Sequence, residues 1–144
     1  GDTMVAMIDH TTINNVSISD LIKSNKISKS KVNEIVERTK NGGAEIVKYL
    51  EKGSAFYAPA SSGVEMAESY LKDLKKELPC AAYLNGEYGF NNLYAGVPVI
   101  IGSNGVEKVV ELKLSDEETK NFKKSVNAVQ DLFEAAKKID KQLA

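Results

Sequence analysis

Proton transfer, metal binding and carboxylate capture each need particular side chains, and this sequence holds few of them. The only histidine is His10, beside Asp9. Neighbouring positions on an extended segment point to opposite faces, so the two do not form an Asp–His pair there. His10 therefore reads as a structural or exposed residue, not a general base. Cys80 is the only cysteine, which excludes an intramolecular disulfide and a multi-cysteine zinc site and fits a reducing, cytoplasmic compartment. With one histidine and one cysteine far apart, no metal is expected. Arg38 is the only arginine, although recognition of a small carboxylate usually relies on the guanidinium fork. It lies opposite Val32, Ile35 and Val36, on the polar side of a helical stripe. Ser54, Ser61 and Ser62 carry hydroxyls, yet no motif places a base beside them, and they read as caps and pocket walls. No P-loop is present, and the glycines at 42, 43, 86, 89, 102 and 105 never take the dinucleotide-binding spacing after a strand. Taken alone, these residues make no self-sufficient active site.

The elements that would position such residues follow from composition and period. The chain has 144 residues, 42% hydrophobic and 27% charged, the balance of one soluble globular domain. Nineteen Lys and Arg against twenty Asp and Glu leave a net charge of −1, so no basic field favours nucleic acid or an anionic membrane. Apolar runs such as Val97–Ile101 are far below the ~20 residues of a spanning helix.

The β-branched blend over Thr3–Ile13 predicts a strand, Asn14-Asn15 a turn, and Ser19 a cap for a short helix through Leu21 and Ile22. Val32, Ile35, Val36, Thr39, Gly43, Ile46, Val47 and Leu50 predict one helical stripe from about 29 to 51. The Asn41-Gly42-Gly43 stretch within it implies a bend, a close backbone approach, or a break between two helices. The segment Gly53–Gly63 opens a further helix ending near Asp73, with Pro59 confined to its first turn.

Beyond Lys75-Lys76, Leu78–Leu84, Val97–Ile101 and Val106–Leu114 predict strands, separated by turns at Asn85-Gly86, Asn91-Asn92 and Ser103-Asn104-Gly105. The last turn signals a tight hairpin. Ser115-Asp116-Glu117-Glu118 is a capping box opening a long helix with Phe122, Val126, Val129, Leu132, Phe133, Ala136 and Ile139 on one face. The sum is an α+β unit.

In this order the segments resemble the lactate/malate dehydrogenase family. Gly1-Asp2-Thr3-Met4-Val5 looks like the stretch after that family's catalytic histidine, Glu37–Val47 its long kinked helix, and Gly53–Ala60 its pocket-lining turn. Leu78–Leu84 is similar to the strand that follows, and Gly96–Gly102 with Gly105-Val106-Glu107 completes the series. The resemblance implies an α+β, C-terminal-domain-like fold over 1–144, with long helices packed on a small, mainly antiparallel sheet. It further implies a substrate-side domain whose N-terminal NAD-binding Rossmann domain is absent from this chain, with the catalytic histidine immediately before Gly1. Ser54 and Ala55 would then border the substrate and Pro59 the nicotinamide. The implied reaction is hydride transfer between malate and NAD, giving oxaloacetate and NADH, in a homodimer or homotetramer, with the chain alone inactive. A lactate dehydrogenase domain and a stand-alone oligomerisation module are the alternatives.

Overall fold

The computed structural model describes residues 3–143. The Gly1-Asp2 part of the resemblance lies outside the described residues, as does Ala144. The chain forms two compact units, Gly1–Ala55 with Leu114–Ser125, and Phe56–Lys113 with Val126–Ala144.

In the first unit, the predicted strand over Thr3–Ile13 is not formed. Only β1 (Thr12–Ile13) is extended and paired, antiparallel to β2 (Val16–Ser17). Asn14 and Asn15, with φ of 50° and 63°, make the predicted turn, in the left-handed pair that suits a two-residue hairpin. Upstream, Ile8–His10 winds into a 3-10 turn, closed by the Thr11 hydroxyl donating to Met7 O at 2.7 Å. β-Propensity produces a strand only where a partner exists, and the partner here stops at Ser17. That serine, not Ser19, caps α1 (Ile18–Lys23): its Oγ accepts from Asp20 N at 3.0 Å and donates to Asp20 Oδ2 at 2.7 Å.

The stripe from 29 to 51 divides into α2 (Lys29–Lys40) and α3 (Gly42–Leu50). Asn41 interrupts them at φ −95°, ψ 3°, a bridge-region conformation. Its Nδ2 donates back to Glu37 O at 2.8 Å, a local alternative to the helical ladder. A Cβ on Gly42 or Gly43 would meet nothing within 4 Å, so no close approach within the described residues requires glycine there. Arg38 braces it with a bidentate pair to Glu45, at 3.0 and 2.7 Å.

The second unit is built on a three-stranded antiparallel sheet ordered β3 (Lys76–Asn85), β4 (Asn91–Gly102) and β5 (Gly105–Val109). Asn91 and Asn92 start β4 instead of forming a turn; the connection is Gly86–Phe90, where Gly86 and Gly89 take φ of 119° and 77°. Alternation sorts the faces: Ala82, Leu84, Leu93, Ala95, Val97, Val99 and Ile101 are buried. Pro79 and Pro98 face one another, and since neither has an N–H, they occupy a position with no bond between the strands.

Pro98 also explains why β5 ends at Val109 and not at Leu114. The next residue on β4 offers no donor, and only its carbonyl still accepts, from Val110 N at 2.8 Å. The predicted hairpin forms around Ser103-Asn104, with Gly105 at φ 85°.

Helix α4 (Tyr57–Leu71) keeps Pro59 in its first turn, as expected, and buries Ser69. The Ser69 hydroxyl donates to Ile101 O at 2.7 Å and accepts from Lys76 N at 3.2 Å.

Helix α5 (Asp116–Ile139) contributes its opening turns to the first unit and the rest to the second. The capping box is present: Glu118 N donates to Ser115 Oγ at 3.4 Å while Ser115 N donates to Glu118 Oε2 at 2.9 Å. Phe122 and Val126 are buried, but Val129, Leu132, Phe133 and Ile139 are exposed, Leu132 at 73% and Ile139 at 89%, with Ala136 half-buried between them.

Two outcomes follow. Ser69→Ala strands a buried carbonyl and removes the partner of Lys76 N, so urea denaturation should show a loss of about 1–3 kcal/mol. The second concerns acid. Hydrogen bonding from the Ser103 amide, then Lys75, holds the Asp73 carboxyl below its ordinary range, and Lys75 does the same for Glu107. Depressed carboxyls stabilise above their unfolded pKa and lose that contribution as pH falls through the folded value. Below about pH 4, protection of the Ser103 and Asn104 amides from hydrogen exchange, taken against the intrinsic rate at the same pH, should therefore fall, and Lys75→Met should weaken this acid dependence.

Candidate functional site

The turn singled out by the sequence is shaped by its backbone. Helix α3 ends at Glu51, with φ 59°, and Gly53 follows at φ 93°. These left-handed residues swing the chain out of the helix, and Lys52 N closes back onto Leu50 O at 2.6 Å. Ser54 and Ala55 then run without regular structure, Ser54 exposed and Ala55 half-buried. Both side chains are small. They close the first unit.

Pro59 belongs to the second unit and is exposed in the opening turn of α4. The N-cap there, Phe56, makes no side-chain capping bond; the first intrahelical bond runs from Ala60 N to Phe56 O at 2.9 Å. Pro59 lacks the N–H that would otherwise be an orphan in a first turn, and it presents an apolar ring to solvent.

A cavity of about 910 Å³ lies within the first unit, walled by the irregular segment at Thr3–Ala6, by α1 and α2, and by the start of α5. Neither Ser54 nor Ala55 lines it. Asp9 and Glu118 do, and Asp9 Oδ1 accepts from Ser19 Oγ at 3.3 Å. The sequence marked Glu118 as a helix cap and gave no signal for a wall position, because the cavity joins segments distant along the chain.

The remaining candidates fall where their chemistry is muted. His10 is exposed in a 3-10 turn, not on the strand expected for it. Arg38 is solvent-exposed, as its polar-side position predicted, but committed to Glu45, whose carboxyl that hydrogen bond holds below its ordinary range. Burial pushes the Cys80 thiol up, away from the thiolate form that acts as a nucleophile. Among the described residues no group of three or more His, Cys, Asp or Glu could hold a metal ion, and no helix is long and apolar enough to cross a membrane.

The family described as lactate/malate dehydrogenase, alpha/beta C-terminal domain, matches residues 1–140. Malate dehydrogenase of Pelagibacter ubique is 60% identical over all 144 residues, which span 45% of that relative. A malate dehydrogenase of Cereibacter sphaeroides is 54% identical over the same length, again 45% of its own. The chain thus spans less than half the length of the curated relatives it matches.

Among solved structures, Cryptosporidium parvum malate dehydrogenase aligns with a TM-score of 0.92 at 49% identity, over 96% of this chain and 44% of the other. Eimeria maxima lactate dehydrogenase, solved with NADH and oxamate, aligns with a TM-score of 0.93 at 42% identity, over 98% of this chain and 44% of the other. With the family matched over nearly every residue, and with turn, helix and hairpin in the expected order, the chain belongs to the lactate/malate dehydrogenase alpha/beta C-terminal domain family.

Proposed function

We propose that the chain is the substrate-side part of an NAD-dependent malate dehydrogenase, which interconverts malate and oxaloacetate. The observation that carries this reading is the family match over residues 1–140, joined to relatives named malate dehydrogenase at 60% and 54% identity. The proton-exchanging histidine and the nucleotide-binding Rossmann domain are assigned to polypeptide preceding Gly1.

Ser54 and Ala55 border the substrate. Their role is to keep the wall small and dry so that the reacting carbonyl is held in one orientation. Pro59 borders the nicotinamide, and it fits that group: an exposed apolar ring in the first turn of α4. When bound, NAD supplies the hydride acceptor. Support for that cofactor comes from the Eimeria maxima relative solved with NADH.

Assembly as a homodimer or homotetramer is part of the same reading. Leu71, Leu132 and Ile139 are 77%, 73% and 89% exposed, apolar side chains that a second copy would cover. The lone cysteine accords with a cytoplasmic setting.

Lactate dehydrogenase is the second reading, favoured by the alignment with the Eimeria maxima enzyme. Assaying the complete protein with NADH decides between them: kcat/KM for oxaloacetate should exceed that for pyruvate by about a hundredfold or more, and the opposite ratio establishes the lactate reading. The 144-residue chain should give no turnover above a buffer blank. In the complete protein, Ala55→Leu should lower kcat/KM for oxaloacetate by at least about tenfold, with the melting temperature unchanged.

A further inference from the structure

Three asparagines precede a glycine, Asn41, Asn85 and Asn104, and all three are exposed. In such a pair the glycine nitrogen is a nucleophile for the asparagine Cγ, because no side chain on the glycine shields it. The attack needs a nitrogen that is not already committed and a carboxamide that can turn toward it. At Asn85 the nitrogen is committed, since Gly86 N donates to Phe90 O at 2.8 Å. At Asn41 the carboxamide is held back, its Nδ2 donating to Glu37 O at 2.8 Å, and Gly42 already begins α3. At Asn104 the carboxamide makes a longer bond that stays within the turn, from Nδ2 to Glu107 Oε1 at 3.2 Å. That partner belongs to a charged cluster. Lys75 Nζ lies 2.6 Å from Glu107 Oε2 and 3.1 Å from Asp73 Oδ1, and Asp73 Oδ1 also accepts from Ser103 N at 2.8 Å. Both carboxylates close over Gly102, where an added Cβ would lie 2.5 Å from Glu107 Oε1 and 2.7 Å from Asp73 Oδ1. The cluster therefore has no room on its inner side. Glu107 Oε1 depends on Asn104 for its donors, the backbone N at 3.4 Å and Nδ2.

We propose that Asn104 is a self-modification site, converted to aspartate or isoaspartate through a succinimide formed with Gly105, and that the new carboxylate releases the β4–β5 turn from Asp73 and Lys75. In the first step the Gly105 nitrogen bonds to Asn104 Cγ and loses its proton to water. The Cγ–Nδ2 bond breaks, and the departing nitrogen takes up a proton from water and leaves as ammonia. Water then opens the ring, giving isoaspartate when it attacks the main-chain carbonyl and aspartate when it attacks Cγ. No oxidant, cofactor or second protein is consumed. Either product puts an anion where Glu107 Oε1 had a donor, and like charges so placed repel. Isoaspartate also lengthens the main chain of a two-residue turn by one carbon. Because Gly102 closes the inner side, the turn moves outward and Ser103 N parts from Asp73. The inference does not rest on the dehydrogenase reading, since no step uses its substrate.

The test incubates the complete protein at mildly alkaline pH, folded and, in parallel, unfolded in guanidinium chloride, and reads conversion of amide to acid at each asparagine by peptide mass spectrometry. In the folded protein Asn104 should convert at least about fivefold faster than Asn85 or Asn41, since each of those must first break a short hydrogen bond. Unfolded, the three rates should converge. Asn104 converting no faster than the other two in the folded protein overturns the site. Release of the turn is read separately, by hydrogen exchange at the Ser103 amide. Asn104→Asp should lower protection there by about tenfold, and Asn104→Ala, which removes the side-chain donor without adding charge, should lower it less. In a Glu107→Gln background Asn104→Asp should change nothing further. Equal losses in Asn104→Asp and Asn104→Ala overturn release by charge, because the missing donor then suffices, and a loss that persists beside Glu107→Gln overturns the contact with Glu107.

Discussion

One hydroxyl ties the helix of the second unit to its sheet. Lys76 and Ile101 are partners at the open end of the β3–β4 ladder, and Ser69 inserts there, taking the amide of one and giving its proton to the carbonyl of the other. Serine within a helix ordinarily turns its hydroxyl back on its own backbone. Here the strand ends present a donor and an acceptor that would otherwise be buried unpaired, so the hydroxyl is drawn outward. Because serine is small, α4 lies close to β4, and the sheet's buried face, from Leu84 to Ile101, is covered without a large helix side chain at that point. The connection back to β3 then has to be short, and Asp73 and Lys75 take left-handed backbone, with φ of 49° and 55°, to achieve it.

Features that depend on neighbours in sequence were legible from the residues. The capping box at Ser115 and Glu118, the proline in the first turn of α4 and the turn at Asn14-Asn15 each need only a few adjacent residues, and each is present as expected. Features that depend on a partner were not. The run Thr3–Ile13 has strand-like residues and nothing long enough to pair with, so most of it coils. Val106–Leu114 keeps alternating burial beyond Val109, yet Pro98 on the neighbouring strand lacks the donor to continue the ladder. At Asn41 the apolar period runs on while the backbone stops, because a stripe reports which face is covered and not whether every amide bonds four residues back.

The same division holds for the site. Scarcity of histidine, cysteine and arginine is a property of composition and could be read at once. That Ser54 and Ala55 sit on an unsupported turn owes to Glu51 taking a left-handed conformation, which nothing in its side chain announces.

Tyr88 lies in the β3–β4 connection, at φ 54°. Its hydroxyl donates to Val110 O at 2.7 Å and accepts from Leu112 N at 3.0 Å, while Glu111 Oε2 accepts from its backbone amide at 2.7 Å. Past Val109 the ladder to β4 breaks, and the Val110 carbonyl and Leu112 amide would otherwise lack a partner from that strand. A single tyrosine occupies both groups, and Glu111 and Lys113 place charge beside them. The tyrosine hydroxyl thus stands in for the strand donor that Pro98 cannot supply, on the side of the chain that faces β4.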